Sequence, residues 1–305
     1  MPEMKEGRLA LEKGNYEILY KLFGQGEETL VCLHGGPGGG HDYLLRFGEL
    51  AEDGLQVLLY DQLGSGQSGV PDDVPPWTVA RFVEELEEIR TAFDLGRIHL
   101  LGQSWGGMLA MQYALDHPDA LKSLIISNSA AGMIEVMSAI RRLQLSIPYQ
   151  ARRDLLRAQA GQEKDPTKLV NASVEFYARN MRRTIPFDPD KSIREFKDEI
   201  MPLFEELGAA PAFLGLWGPD PTTCTGPLLD WDVSDRLHEI VVPTLIVCGW
   251  YDEIPPDLHF KLAERIPDNE FVIFGNASHM LTHEKDADAY LALIRDFVHR
   301  VNVGQ

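Results

Sequence analysis

The chain has 305 residues, 44% of them hydrophobic, and carries 47 acidic against 28 basic side chains for a net charge of −19. That apolar content suffices for a sizeable core, and the acidic balance argues against nucleic acid or an anionic membrane as partner, because both are bound through a basic surface. No stretch reaches the roughly 18 apolar residues of a spanning helix, so no membrane partner is expected.

The N-terminal Met1-Pro2-Glu3-Met4-Lys5-Glu6 is polar and lacks the apolar segment of a secretory leader. Strand-like runs follow at Tyr16–Leu22 and Thr29–Leu33, and the second leads into the loop His34-Gly35-Gly36-Pro37-Gly38-Gly39-Gly40. Gln56–Tyr60 reads as a buried strand, followed by Asp61-Gln62-Leu63-Gly64-Ser65-Gly66-Gln67-Ser68, a tight turn in which Asp61 has a structural rather than a catalytic place. Phe82, Leu86, Ile89 and Phe93 recur at helical spacing with Glu84, Glu85, Glu87 and Glu88 between them, which predicts an amphipathic helix over Val79–Phe93. A short apolar strand at 97–101 then enters Gly102-Gln103-Ser104-Trp105-Gly106-Gly107, a helix runs to about residue 115, and Ser123–Ser127 is the next strand.

Between about 133 and 228 the strand signals vanish. Helical stretches rich in Arg, Leu, Glu and Met take over, broken by Pro186, Pro189, Pro202, Pro211, Pro219 and Pro221. The segment is too long for a loop in a compact domain and reads as an inserted helical cap. The earlier pattern resumes with strand Thr244–Cys248, a helix near 257–266, strand Glu270–Phe274 and a C-terminal helix Ala287–Val301. Strands alternating with helices predict an α/β fold, a mostly parallel central sheet flanked by helices. The expected organisation is a core over 1–132, a cap over 133–228 and the rest of the core over 229–305. Cys32, Cys224 and Cys248 form no metal-binding spacing, and Cys32 and Cys248 sit in apolar runs; buried thiols, a reducing cytoplasmic compartment and no metal are expected.

The chemistry concentrates at strand ends. Gly102-Gln103-Ser104-Trp105-Gly106 is a G-x-S-x-G sequence between a strand and a helix, the nucleophile elbow of the α/β-hydrolase fold. Ser104 is the expected nucleophile. Asp252 follows strand 244–248 and His279 follows strand 270–274, at the end of the sheet where such folds place their sites. His279 would take the Ser104 proton, and Asp252 would fix the imidazole tautomer. His283 is the weaker candidate for the base; Glu253, and behind it Asp230 and Asp232, are the competitors for the acid. The oxyanion hole needs two backbone N–H donors, expected from Trp105 and from Gly36 in the glycine-rich loop.

Together these residues resemble the proline iminopeptidase family of serine aminopeptidases, which includes tricorn-associated aminopeptidases and amino-acid amidases. The resemblance rests on His34-Gly35-Gly36-Pro37-Gly38, Tyr60-Asp61-Gln62 with Gly64-x-Gly66-x-Ser68, the Ser104 elbow, Asp230-Trp231-Asp232 and Gly249-x-Tyr251-Asp252-Glu253. It implies an enzyme without metal or organic cofactor that removes an N-terminal residue, often proline, from short peptides, amides or arylamides. It also implies that Glu253 binds the substrate's free amine. A second acid usually lies in the cap in a G-P-x-E pattern. This chain reads Gly218-Pro219-Asp220-Pro221 there, which leaves Asp220 as the candidate, shorter and shifted by one position. Leu63 also departs from the arginine of many relatives. The same constellation would serve a carboxylic ester or a lactone. A non-catalytic ligand receptor is the third reading, and the filled catalytic positions count against it.

Overall fold

The computed structural model describes residues 2–13, 15–52, 54–71, 77–184, 186–220 and 222–304. Its strands are β1 Met4–Leu11, β2 Tyr16–Phe23, β3 Glu28–Leu33, β4 Leu55–Tyr60, β5 Ile98–Gln103, β6 Leu121–Ser127, β7 Thr244–Gly249 and β8 Asn269–Phe274. They form one sheet in the order β1-β2-β4-β3-β5-β6-β7-β8. The β1–β2 and β2–β4 pairings are antiparallel, and all others are parallel. Helices α1 Val79–Ala92 and α2 Trp105–Asp116 fall between strands; α3 Met133–Gln144, α4 Tyr149–Gln159, α5 Pro166–Asn180, α6 Pro189–Glu195 and α7 Met201–Ala209 follow β6; α8 Pro256–Arg265 and α9 Ala287–Val303 accompany the last strands.

The sheet is apolar on both faces, which is why its central strands read as continuous hydrophobic runs. Along β3, Val31 and Leu33 pack with Phe82, Leu86 and Leu109 of α1 and α2. Leu30 and Cys32 turn the other way, towards Phe47, Tyr290, Ile294 and Phe297. α9 and a short helical turn at Asp42–Leu50 cover that second face.

Two features differ from the sequence reading. β1 was not expected, because Met4, Lys5, Glu6 and Arg8 are exposed and only Leu9 and Leu11, at its end, pack against the core. Its pairing along the whole of β2 holds it, and its charged side chains suit a sheet edge. Glu85 was expected among the solvated glutamates of α1, yet it is fully buried. Its carboxylate accepts the Leu63 N–H (2.9 and 3.1 Å) and the Tyr16 hydroxyl (2.5 Å), so it anchors the turn after β4. Burial pushes this carboxyl up to about 7.

The chain leaves the sheet after β6 and comes back beside its own exit. Gly132 and Asp232 pair as an isolated antiparallel bridge, with Met133 N–H on Trp231 O and Val233 N–H on Ala131 O. The helices between these points sit over the carboxyl ends of the parallel strands.

The elbow shows why glycine flanks Ser104. The left-handed backbone belongs to the serine itself, with φ 58° and ψ −122°. The glycines are required by crowding: a Cβ on Gly102 would lie 2.0 Å from Gly106 O, and one on Gly106 would lie 2.2 Å from Leu33 O. Both obstacles are backbone and cannot rotate away. Alanine normally gains about 1 kcal/mol over glycine inside a helix. Overpacking against fixed atoms costs about 1–3 kcal/mol and occasionally more. Crowding therefore wins, and Gly106→Ala is expected to lower unfolding free energy by about 2 kcal/mol, read from the urea midpoint. An unchanged or higher midpoint would show that β3 and α2 are not in fixed contact here.

Candidate active site

Ser104 caps the N-terminus of α2 immediately after β5. Its strained backbone is tied on both sides: Ser104 N–H donates to Ser127 O (2.9 Å), and Ser104 O accepts the Gly107 and Met108 N–H groups and the Ser129 hydroxyl (2.8 Å). Trp105 opens α2, so its N–H is one of the first-turn donors that have no acceptor within the helix. The positive end of the α2 dipole points at the same place.

Asp252 and His279 arrive from the ends of β7 and β8, and His279 Nδ1 lies 2.6 Å from Asp252 Oδ1. Every acceptor site on this buried carboxylate that faces a protein donor is used. Oδ1 also takes the Ile254 N–H (2.8 Å), and Oδ2 takes Asn128 Nδ2 (2.6 Å). Asn128 reaches on to Ser278 O (3.2 Å), so one amide spans both loops. It adopts φ 52°, a conformation that asparagine tolerates better than most residues. Burial alone would lower the His279 pKa, but the charges of Asp252 and Glu253 outweigh it and push the ring up to about 9. His283 packs elsewhere, with Nδ1 on the neighbouring Thr282 hydroxyl (3.0 Å). Asp232 caps Ser234 N–H instead of approaching His279. Among the described residues Ser104 makes no hydrogen bond to His279; such contacts often tighten only around substrate.

The glycine-rich loop after β3 is built around a buried histidine. His34 Nε2 accepts the Gln62 N–H (3.0 Å), which assigns the proton to Nδ1 and its hydrogen bond to Gly35 O (2.9 Å). Burial holds His34 down at about 4, so the ring is neutral. Gln62 then ties this loop to the elbow: its Nε2 donates to His34 O (2.9 Å) and its Oε1 accepts the Trp105 indole N–H (2.8 Å). Gly36 has φ 120°, and a Cβ there would meet the Gly38 and Gly39 nitrogens at 2.7 Å. On the next loop Asp61 serves the turn, accepting the His41 and Gln67 N–H groups (2.8 Å each).

Gly36, Ser104, Trp105, Glu253 and His279 line one cavity of about 590 Å³. Glu253 has its Oε1 3.7 Å from His279 Nε2 and a side chain 12% exposed. Burial raises this carboxyl to about 7, with Asp252 adding to the effect and His279 opposing it. Asp220 stands behind the cavity lining, with its Oδ1 on the Thr222 N–H (2.8 Å) and hydroxyl (2.7 Å), and its charge acts on Tyr177 of the cavity wall together with that of Glu253. The neighbouring Pro221 lies outside the described residues. Glu206 of α7 also lines the cavity, at an exposed position.

The C-terminal end of α5 was also missed. Asn180 O accepts both the Glu253 N–H (3.1 Å) and the His279 N–H (3.2 Å), and Met181 O accepts the Met280 N–H (3.0 Å). Two residues on, the Arg183 guanidinium is sandwiched between the Phe187 and Tyr251 rings, 3.8 and 4.0 Å from their centroids. The helices over the sheet are thus fastened to the loops that carry Glu253 and His279. Nothing in the local sequence signals this, because the acceptors are main-chain carbonyls.

A mostly parallel sheet with a strained serine at a strand-to-helix turn and a histidine–carboxylate pair at the same edge defines a serine hydrolase of the α/β-hydrolase fold, and the family described as the alpha/beta hydrolase fold matches residues 28–286. Curated relatives are narrower in kind. A proline iminopeptidase of Saccharolobus solfataricus is 36% identical over 288 residues, spanning 94% of this chain and 89% of that protein. One from Lactobacillus helveticus is 35% identical over 97% of this chain and 98% of its own length. The crystal structure of a proline iminopeptidase from Mycobacterium smegmatis superposes with a TM-score of 0.83 at 31% identity, covering 98% of this chain and 99% of that one. The chain belongs to the proline iminopeptidase family.

Proposed function

We propose that this enzyme releases N-terminal residues, proline or others, from short peptides or amino-acid amides through an acyl-enzyme on Ser104. His279 takes the serine proton and returns it to the leaving amine, with Asp252 holding the ring so that Nε2 faces the reaction. The N–H groups of Gly36 and Trp105 stabilise the developing oxyanion. Residues 133–228 act as the cap that closes the substrate end. No cofactor is required for this chemistry, since nucleophile, base and oxyanion donors all come from the chain.

The observation that carries the aminopeptidase reading is Glu253. A carboxylate beside the reacting histidine, sheltered in the cavity and already raised to about 7 by burial, gains most from a cationic partner. A substrate ammonium supplies one. Asp220, tied into its own turn, is not part of this amine site in our reading. The acidic surface and the three buried free thiols suit a peptide-processing enzyme of a reducing cytoplasm that binds neither nucleic acid nor membrane.

Free and N-acetylated aminoacyl arylamides, assayed beside simple esters, test the reading. The free amines are expected to be cut and the acetylated ones spared. Glu253→Gln is expected to lower kcat/KM for free amines by about 10- to 100-fold, the size of a charged hydrogen bond, while the fold is retained. Equal cleavage of blocked and free substrates would remove amine recognition. Preference for esters would instead select an ester or lactone hydrolase.

A further inference from the structure

His279 is held by its main chain as well as by its ring. Its N–H donates to Asn180 O (3.2 Å), and its carbonyl accepts Gln103 Nε2 (3.2 Å). The preceding residue, Ser278, is fully buried and is gripped on both sides. Its carbonyl accepts Asn128 Nδ2 (3.2 Å) and is seated against the end of β7, where a Cβ on Gly249 would lie 2.4 Å from it. Its N–H and its hydroxyl both turn to Glu284.

Glu284 follows the short helical turn Leu281–His283, and only 8% of it is exposed. Its Oε2 accepts the Ser278 N–H (2.7 Å), and its Oε1 accepts the Ser278 hydroxyl and the Arg183 N–H (3.2 Å). Burial pushes this carboxyl up, and the hydrogen bonds from Ser278 and Arg183 oppose it. A backbone N–H on each oxygen favours the ionised form. A buried carboxylate is costly to keep, and the chemistry of Ser104, His279 and Asp252 makes no direct use of this one.

These are not the bonds of a helix cap. Glu284 precedes α9, yet its carboxylate reaches back to residue 278 and across to residue 183. Ser278 adjoins the base. Arg183 lies three residues past Asn180, whose carbonyl holds the Glu253 and His279 N–H groups, and its side chain is clamped by Phe187 and Tyr251. One carboxylate thus joins the loop that carries His279 to the cap segment that backs it. Asp252 fixes the direction of the ring, and Glu284 fixes where the ring stands.

Resting on the reading of His279 as the base, we infer that Glu284 is a positioning residue, which acts through Ser278 to hold His279 at the distance that proton transfer from Ser104 needs. It touches neither the substrate nor the reacting atoms. Its effect falls on kcat, because a misplacement of about 1 Å in such a group can cost about 10²-fold in rate.

The experiment measures kcat and KM for a free aminoacyl 4-nitroanilide and for a simple ester on the wild type, Glu284→Ala and His279→Ala, with a thermal melt of each. Glu284→Ala leaves the Ser278 and Arg183 N–H groups without their acceptor. It is expected to lower kcat by about 10²-fold on both substrates, with KM within about threefold of wild type. Glu284→Asp, which keeps the charge but is one methylene shorter, repeats the test should the alanine variant fail to fold, and is expected to lower kcat by at least about tenfold. A folded variant that melts lower but keeps kcat within about threefold of wild type would overturn the inference, leaving Glu284 a purely structural role. His279→Ala is expected to lose at least about 10³-fold in kcat. If it does not, the reading of the base falls and this inference falls with it.

Discussion

Replacing Ser104 with alanine is expected to lower kcat by about five to six orders of magnitude, the loss seen when a hydrolase nucleophile is removed. That corresponds to about 7–8 kcal/mol of transition-state stabilisation. Folding should be nearly indifferent. The Ser104 hydroxyl faces the cavity, and the bonds that hold the elbow are made by its main chain and by Ser129. A change in unfolding free energy within about 0.5 kcal/mol is expected, since no buried partner is left unpaired. Activity within a hundredfold of wild type would show that another group carries the chemistry.

Asp252→Asn is expected to cost about 10⁴-fold in kcat, and it reaches further than a lost charge. Three donors face the two oxygens of Asp252: His279 Nδ1–H and Ile254 N–H on one, Asn128 Nδ2 on the other. An amide offers a single acceptor oxygen. Whichever way it is turned, an NH₂ group opposes a donor, so the variant should also lose about 1–3 kcal/mol of stability. The pH profile gives a separate reading. His279 acts as a base only when neutral, so its pKa, held up at about 9 by Asp252 and Glu253 against the opposing effect of burial, sets the acid limb of wild-type kcat/KM, while loss of the substrate's α-ammonium at about pH 8 sets the alkaline limb. Without the Asp252 charge, burial is opposed mainly by Glu253 and the pKa falls. The acid limb should therefore move to lower pH while the plateau drops. A limb that stays in place would mean that Asp252 does not set the His279 protonation.

Much of the sheet was legible because its central strands are buried on both faces and their apolar runs stop at glycine-rich turns. β3, β5 and β7 each end in this way, and the residues just beyond those ends meet at one edge of the sheet. What escaped has a physical reason in each case. β1 turns only Leu9 and Leu11 to the core, too short an alternation to read, and its ladder with β2 holds the rest. Glu85 lies beside the apolar stripe of α1, three residues after Phe82 and four before Ile89, but its charge reads as solvated; the Leu63 N–H and the Tyr16 hydroxyl hold its carboxylate inside. Asn128 and Gln62 join loops far apart in sequence through side-chain amides, so their partners appear only once the chain is folded. Asn128 had one visible signal: it follows β6 at the same edge where β5, β7 and β8 deliver Ser104, Asp252 and His279.

The supports around the site share a pattern. His34 is kept neutral by burial and spends both ring nitrogens on backbone groups. Under the Ser129 loop, His259 does much the same: its Nε2 accepts the Ser129 N–H (3.0 Å), and burial lowers its pKa. Neutral buried imidazoles thus brace the glycine loop and the loop behind the elbow. His279, by contrast, faces the cavity beside Asp252 and Glu253, and their charges raise its pKa.

Mass spectrometry of the folded enzyme treated with a fluorophosphonate tests the central claim most directly. The account predicts a single stoichiometric adduct on the peptide containing Ser104, formed slowly or not at all in Asp252→Asn. A folded protein that takes no label, or takes it on another serine, would contradict it.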